Sequence, residues 1–260
     1  MSVIDAVLLG ILQGLTEFLP ISSSGHLTIL QSILGIKDTP MLFSVLLHLS
    51  TLVAVCLCLK DEVLYILRHP FGRLTRLLVS ATAPTVVIAL LLKYLFPATF
   101  SGEHLGFCFI ITSIFLLFSH FLPSFSRKFE DISHRDALVM GIFQGIATLP
   151  GISRSSSGIL SGALCGLSRD SVARFSFLMS IPAILGALVL DLFTLEASAL
   201  SELPVMGVIL GCLCAAVVGY GCVKWMMRLI SRGRLLSFSI YTAVVGVLCI
   251  IDKYVTHLIF

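Results

Sequence analysis

The sequence predicts an all-α polytopic membrane protein made of two inverted-topology repeats, each a re-entrant helix–loop–helix followed by three transmembrane helices. Three observations lead to this prediction. Of the 260 residues, 57% are hydrophobic and only 12% are charged, whereas soluble domains have about 25% charged residues. Basic residues are concentrated in alternate loops, and two polar stretches with a shared residue pattern interrupt the apolar sequence. We treat residues 1–260 as a single integral membrane domain.

Six apolar segments approach or reach the ~20 residues that a helix needs to cross a bilayer. They cover residues 41–59, 77–96, 104–122, 175–195, 204–223 and 235–252. The N-terminus lacks a basic region, so we expect no cleaved signal peptide. The eight cysteines lie in or beside apolar runs, where we expect them to fill the core rather than bind metal.

The distribution of lysine and arginine predicts the topology through the positive-inside rule. Loops 60–76, 123–135 and 224–234 are basic and are expected on the cytoplasmic side. Loops 97–103 and 196–203 contain no lysine or arginine and are expected outside.

With these sides assigned, residues 136–172 must enter and leave the membrane from the cytoplasm, and residues 3–38 from outside. Both segments also match in sequence. A shift of 131 residues aligns positions 5–24 with 136–155 and gives 9 identities in 20 positions. We therefore predict repeat 1 at residues 1–123 and repeat 2 at residues 136–252. Inverted repeats place their site near the midplane, where helices are broken.

The first broken stretch, residues 13–26, contains an acid, three hydroxyls and a histidine. Gln13 and Glu17 share a helix face, and a carboxylate at membrane depth indicates function. Ser22, Ser23 and Ser24 follow Pro20. Serines at a helix start can cap it, but three in a row exceed that need. The exposed N–H groups there favour an anion.

The second stretch, residues 144–158, repeats this pattern and adds an arginine. Ser153 and Arg154 follow Pro150-Gly151 and precede three further serines. The arginine fork suits phosphate oxygens, and inside a hairpin it needs an anionic partner, either Glu17 or a ligand. We expect the two stretches to face each other across one site.

The residue types in this site indicate phosphoryl chemistry. Serine, histidine and anion-binding donors are what nucleophilic attack on a phosphoryl group requires. His26 lies close to the serines and can act as acid or base, whereas we interpret His48 and His120 as structural. Glu17 can hold a divalent cation if water and substrate supply the remaining ligands.

These residues resemble the undecaprenyl-diphosphate phosphatases, also called bacitracin-resistance proteins. One signature reads Gln13-Gly-Leu-Thr-Glu17 into Pro20-Ile-Ser-Ser-Ser-Gly-His26, and the other reads Pro150-Gly-Ile-Ser153-Arg154-Ser. The resemblance extends over essentially the whole chain. It implies a hydrolase of the bacterial inner membrane that converts undecaprenyl diphosphate to undecaprenyl phosphate. That product is recycled for peptidoglycan synthesis, and the activity confers bacitracin resistance.

The resemblance also implies roles for individual residues. Ser23 resembles the nucleophile, His26 its acid/base partner, and Glu17 the acid tied to cation and substrate. Arg154 resembles the diphosphate clamp, with Ser153, Ser22, Ser24 and Gln13 beside the substrate. A Mg or Ca ion on Glu17 and Gln13 is implied, with the site open to the external face. Gln13 replaces an acid found in other members, so a two-carboxylate metal site is not expected.

A transporter or flippase of an anionic lipid or small anion is the alternative function, because broken helices in inverted repeats are common in transporters. The grouping of serine, histidine and glutamate favours the enzyme, since transport needs no acid/base pair. A structural scaffold would leave Glu17 and Arg154 unexplained. The expected partners are a polyprenyl diphosphate and the bilayer, not nucleic acid. The sequence leaves a homodimer open.

Overall fold

The structure, a computed structural model, describes residues 1–36, 41–100, 102–193 and 204–258. Helices make up these parts of the chain, and no β-strand is formed within them. The helices are α1 Val3–Thr16, α2 Ser23–Ile33, α3 Met41–Cys58, α4 Lys60–Arg68, α5 Arg73–Leu95, α6 Pro97–Phe100, α7 Leu105–Phe121, α8 His134–Ile146, α9 Arg154–Leu164, α10 Arg169–Phe193, α11 Val205–Ser231 and α12 Leu236–Ile251.

The prediction of a polytopic membrane protein is confirmed by the length and composition of these helices. Within the described ranges, four helical segments are long and apolar enough to cross a membrane. They are α5, residues Arg169–Val189 of α10, α11, and Leu236–Thr256, which is α12 together with the π-helical turn Asp252–Thr256 that follows it. The bent pair α3 and α4 adds a fifth if the two helices form one span, and α7 is a shorter apolar helix.

The boundaries of several predicted segments were wrong. The predicted loop 60–76 contains α4, which is bent by 91° from α3, and α11 runs to Ser231 rather than ending at 223. The short helix α6 lies in predicted loop 97–103, whereas predicted loop 196–203 lies outside the described residues. Apolarity marks where a chain enters the membrane, but a helix continues into charged sequence because its backbone hydrogen bonds do not depend on polarity.

Two pairs of short helices contain the broken stretches. Residues 17–22 separate α1 from α2, and residues 147–153 separate α8 from α9. Both pairs begin with the same capping box, Ser2 with Asp5 in α1 and Ser133 with Asp136 in α8. The repeated aspartates are thus helix-starting residues.

Small residues let each of these pairs pack closely on a long span. A Cβ built on Gly10 of α1 would lie 2.1 Å from the carbonyl oxygen of Gly211 in α11. A Cβ on Gly141 of α8 would lie 2.0 Å from the carbonyl oxygen of Ala81 in α5. These positions match under the shift of 131, so part of the repeat is a packing pattern of the kind that brings membrane helices together.

The basic loops lie at one end of the molecule. Arg73 donates to the backbone carbonyls of Glu130 and Ile132, which joins loops 60–76 and 123–135. The ring of His120, next to loop 123–135, is hydrogen-bonded to the carbonyl of Gly233 in loop 224–234. All three segments predicted to be cytoplasmic therefore share a side.

Candidate active site

Glu17 is the centre of a buried polar cluster. It directly follows α1, and its side chain is 1% exposed. Its Oε2 accepts hydrogen bonds from Ser23 Oγ at 2.6 Å and from Gln13 Nε2 at 3.0 Å. Its Oε1 pairs with Nη2 of Arg154. The two broken stretches are therefore brought together, and the anionic partner of Arg154 in this structure is Glu17.

Arg154 is the first residue of α9, and Ser153 caps that helix by accepting from the N–H of Ser156. The turn before it is held by Thr112 of α7. Thr112 Oγ1 donates to the carbonyl of Gly151 at 2.8 Å and accepts from the N–H of Ser153 at 3.0 Å. Gly151 has φ +92°, and a Cβ there would lie 2.6 Å from the Cβ of Cys108, so glycine is required.

Ser22, Ser23 and Ser24 have three different environments. Ser22 has φ +70°, which is uncommon for a residue with a side chain and marks a constrained turn. Its hydroxyl caps α2 at the N–H of Gly25. Ser23 is directed at Glu17, whereas Ser24 is exposed, with its Oγ 3.3 Å from that of Ser22. Only the middle serine contacts the carboxylate.

His26 is buried one turn further along α2. Its Nδ1 lies 2.7 Å from the carbonyl oxygen of Ser22, and its Nε2 lies 2.8 Å from the hydroxyl of Tyr241 in α12. The edge of the ring meets Phe109. Within the described residues, the hydroxyl of Ser23 therefore bonds to Glu17 and not to the histidine that the resemblance pairs with it.

His48 was interpreted as structural, but it belongs to the cluster. Its Nδ1 lies 2.9 Å from Gln13 Nε2 and 3.5 Å from Glu17 Oε2. A titratable residue inside a predicted span was the signal that could have identified it. Thr112 gave no such signal, because a lone threonine hydroxyl in an apolar helix commonly bonds to its own backbone. Tyr241 gave none either, because a tyrosine in a span commonly packs through its apolar ring.

The serines after Arg154 serve their helix more than the site. Ser156 donates to the carbonyl of Ser153. Ser157 is fully buried, and its hydroxyl finds no partner within the described residues. Within the described residues, neither of these two hydroxyls is hydrogen-bonded to Arg154 or Glu17.

The residues around Glu17 fit a shared cation site rather than a complete protein cage. The Oε1 of Gln13 is buried without a hydrogen-bond partner in the described structure, and it lies on the side chain that contacts Glu17. In the same part of the chain, no group of three or more His, Cys, Asp or Glu side chains could hold a metal. An amide oxygen and a carboxylate suit Mg²⁺, which keeps waters and binds phosphate oxygens.

A cavity of about 420 Å³ lies beside the predicted external loop 97–103. Its wall includes Leu105, and a Cβ built on either Gly25 or Gly151 would lie 3.1 Å from the side chain of this leucine. The side chain of Leu105 thus separates the cavity from both broken stretches. Its lining is Gly102, Glu103, Leu105, Gly106, Cys249, Lys253 and His257.

The family described as bacitracin resistance protein BacA matches residues 6–248, a range that contains both broken stretches. The chain belongs to this family. Curated relatives of this BacA-family chain include the undecaprenyl-diphosphatase of Carboxydothermus hydrogenoformans, 44% identical, with 95% of this chain and 96% of the relative covered. The undecaprenyl-diphosphatase of Halothermothrix orenii is 37% identical, with 96% and 98% covered. Undecaprenyl-diphosphatase 4 of Bacillus thuringiensis strain Al Hakam is 38% identical, with 99% of each chain covered.

In this BacA-family chain, the ion pair between Glu17 and Arg154 joins the two signatures. One signature supplies the carboxylate and the serine that donates to it, and the other supplies the arginine. Neither stretch contains this set of groups alone.

Proposed function

We propose that this protein hydrolyses undecaprenyl diphosphate to undecaprenyl phosphate and inorganic phosphate. This reaction returns the lipid carrier to peptidoglycan synthesis and confers resistance to bacitracin. The observation that supports it most strongly is the contact of one buried carboxylate with both a serine hydroxyl and an arginine from the opposite half. The names of the full-length relatives indicate the lipid substrate.

In this mechanism, Arg154 can bind either the carboxylate of Glu17 or the phosphate oxygens of the substrate. Without substrate, its guanidinium pairs with Glu17. A diphosphate has more negative charge and more acceptor oxygens than one carboxylate, and a forked guanidinium binds phosphate oxygens well. Substrate therefore draws Arg154 away from Glu17. The N–H groups in the first turns of α2 and α9 that Ser22 and Ser153 leave uncapped, together with the exposed Ser24 hydroxyl, add donors around the same phosphates.

Once Arg154 has moved, Glu17 becomes a better base for the serine that donates to it. The Oγ of Ser23 attacks the terminal phosphorus while its proton passes to Oε2 of Glu17. The bond from that phosphorus to the bridging oxygen breaks, and undecaprenyl phosphate leaves. Water then attacks the phosphoserine and gives one proton to His26. The oxygen of Ser23 leaves this phosphorus and takes its proton back from Glu17. The released inorganic phosphate carries away the proton held by His26.

A divalent cation, Mg or Ca, fits this reaction through the carboxylate of Glu17 and the unpartnered Oε1 of Gln13. When bound, the cation neutralises charge on the diphosphate. His48 adjoins both residues and orients the amide of Gln13 by accepting a hydrogen bond from its Nε2. The amide oxygen is thereby left free for the ion.

We also propose that residues 1–123 and 136–252 form inverted repeats. In support, α1 packs on α11 and α8 packs on α5, with Gly10 and Gly141 at equivalent contacts. The start of α8 joins the basic end of the molecule through the bonds from Arg127 to Asp136. The start of α1 lies against Gly207 near the start of α11, which is consistent with entry from the other side.

The positive-inside rule then orients the protein in the inner membrane. The basic end faces the cytoplasm, and the cavity beside loop 97–103 faces outwards and gives substrate access to the site. Cysteine labelling of intact cells at positions 97–103 and 123–135 tests this orientation. Equal labelling of both from outside contradicts it. A homodimer stays a prediction of the sequence.

Phosphate release from a C55 lipid diphosphate by the purified protein in detergent tests the proposed activity. We expect release with Mg²⁺ or Ca²⁺, loss of release with a chelator, and recovery when the cation is restored. Absence of release with every divalent cation would refute the hydrolase. Binding or translocation of the intact lipid under those conditions would favour the flippase.

A further inference from the structure

Hydrogen bonds to both ring nitrogens fix the orientation of the His26 ring. Its Nδ1 lies 2.7 Å from the carbonyl oxygen of Ser22. A carbonyl oxygen can only accept, so Nδ1 holds the hydrogen of the neutral imidazole, and Nε2 has the free lone pair. The same carbonyl also accepts from the backbone N–H of His26 at 3.3 Å, and it belongs to the sharp turn at Ser22, with φ +70°.

The group that meets the lone pair comes from the last long helix. The hydroxyl of Tyr241 in α12 lies 2.8 Å from Nε2 of His26, and the two rings are nearly parallel, at 10°. In the neutral ring Nε2 accepts, so the tyrosine hydroxyl donates. The position of His26 thus depends on a residue 215 positions later in the chain.

The hydroxyl of Tyr241 is not needed for packing against lipid. Its neighbours Ile240 and Val244 are 58% and 52% exposed, as expected for the lipid-facing side of a span, and Tyr241 itself is 44% exposed. A phenylalanine would fill the same space on that surface. The hydroxyl has one assigned partner here, and that partner is the histidine.

We propose that Tyr241 is a positioning residue that holds the ring of His26 in place through Nε2, while the carbonyl of Ser22 sets the Nδ1–H tautomer. This inference rests on the proposed function, in which His26 is the acid/base for hydrolysis of the phosphoserine. A hydrogen-bonded partner that fixes the tautomer and orientation of a catalytic imidazole has large effects on rate in other enzymes. Here the residue acts on the histidine through Nε2.

The first test compares Tyr241→Phe with the matched control Tyr220→Phe. Tyr220 is a similarly exposed tyrosine, 37%, on α11, whose ring lies under Lys224. We expect Tyr241→Phe to lower kcat by about tenfold, the effect of one hydrogen bond. We expect an unchanged KM for the C55 diphosphate, and Tyr220→Phe should match the wild type. Equal kcat values for all three proteins would overturn the proposal.

The second test asks whether Tyr241 acts through His26. In a His26→Ala background, Tyr241→Phe should have no further effect on the residual rate, because the group it positions is gone. A further tenfold loss there would overturn the proposal, since the hydroxyl would then act on something else.

The third test does not depend on activity. In protein labelled with ¹⁵N-histidine in detergent, His26→Ala identifies the resonances of His26 among the 7 histidines. We expect wild-type shifts of an Nδ1–H tautomer, and in Tyr241→Phe a displaced Nε2 resonance, because the hydrogen bond to that nitrogen is lost. Unchanged His26 shifts would overturn the proposal. Wild-type protein that releases no phosphate would instead refute the proposed function, and this measurement would still report on the Tyr241–His26 bond.

Discussion

Arg154 and Glu17 are 137 residues apart in sequence, yet they form an ion pair in the interior of the protein. The side chain of Glu17 is 1% exposed, and the side chain of Arg154 is 23% exposed. The arginine is thus the partially accessible member, placed where it can exchange its carboxylate partner for a ligand.

Replacing Arg154 should be as damaging as replacing the nucleophile. Removing one donor that stabilises developing charge costs roughly 10²–10³-fold in rate, so we expect at least this loss in kcat/KM for Arg154→Ala. Arg154→Lys keeps the charge but loses the fork, and it should recover only part of the activity. Phosphate release from the C55 diphosphate measures both. Arg232→Ala, an exposed arginine at the end of α11, is the control, and a wild-type rate in Arg154→Ala would contradict the clamp.

Ser23→Ala should reduce phosphate release by several orders of magnitude, because no other serine in the stretch donates to Glu17. Single-turnover reactions quenched in acid should show labelled phosphate on the wild-type chain and none on the variant. Ser50→Ala is a suitable control, since the hydroxyl of Ser50 donates to the backbone of its own helix. If Ser23→Ala retains a near-normal rate, Ser22, Ser24 or water is the nucleophile.

Thr112→Val tests the brace behind Arg154. The substitution keeps the shape but removes the hydroxyl that binds Gly151 and Ser153, and it leaves the buried N–H of Ser153 without this partner. An unsatisfied buried group costs about 1–3 kcal/mol. We expect a lower thermal midpoint in detergent and a higher KM, because the arginine is less well placed. Thr82→Val, whose hydroxyl bonds within its own helix, should change neither quantity appreciably.

Replacing glycine by alanine should destabilise the protein where two helices cross closely and stabilise it on an open helix surface. Gly10→Ala and Gly141→Ala put a methyl group into a backbone carbonyl, and overpacking of this kind costs about 1–3 kcal/mol. Gly221→Ala in α11 meets nothing within 4 Å and should stabilise by up to about 1 kcal/mol through helix propensity. Thermal unfolding monitored in detergent compares the three. Equal midpoints for Gly10→Ala and Gly221→Ala would contradict the close approach of α1 and α11.

Features that depend on neighbours in the chain could be predicted from the sequence, and most features that depend on distant residues could not. The apolar segments and the breaks at Pro20 and Pro150 depend on neighbours in the chain, and they could be predicted. The need of Arg154 for an anionic partner could also be predicted, because a charge in apolar surroundings is costly, and the structure shows that Glu17 rather than a ligand is that partner. The repeat was visible in the sequence, but some of its matching residues serve helix packing rather than chemistry. Gly10 and Gly141 are small because helices cross there.

The sequence by itself determined that the protein is a helical membrane protein with two polar breaks, and it identified Glu17, Ser23, His26 and Arg154 as the groups to examine. The tertiary structure decided the pairing among them: Ser23 with Glu17, and His26 with Tyr241. It also added His48 and Thr112. The helical period shows which residues share one face of a helix. It does not show which face of another helix that face contacts, or at what depth in the membrane the two helices meet. Hydrogen-bond partners on different helices are set by those crossings, and the crossings exist only in the folded protein.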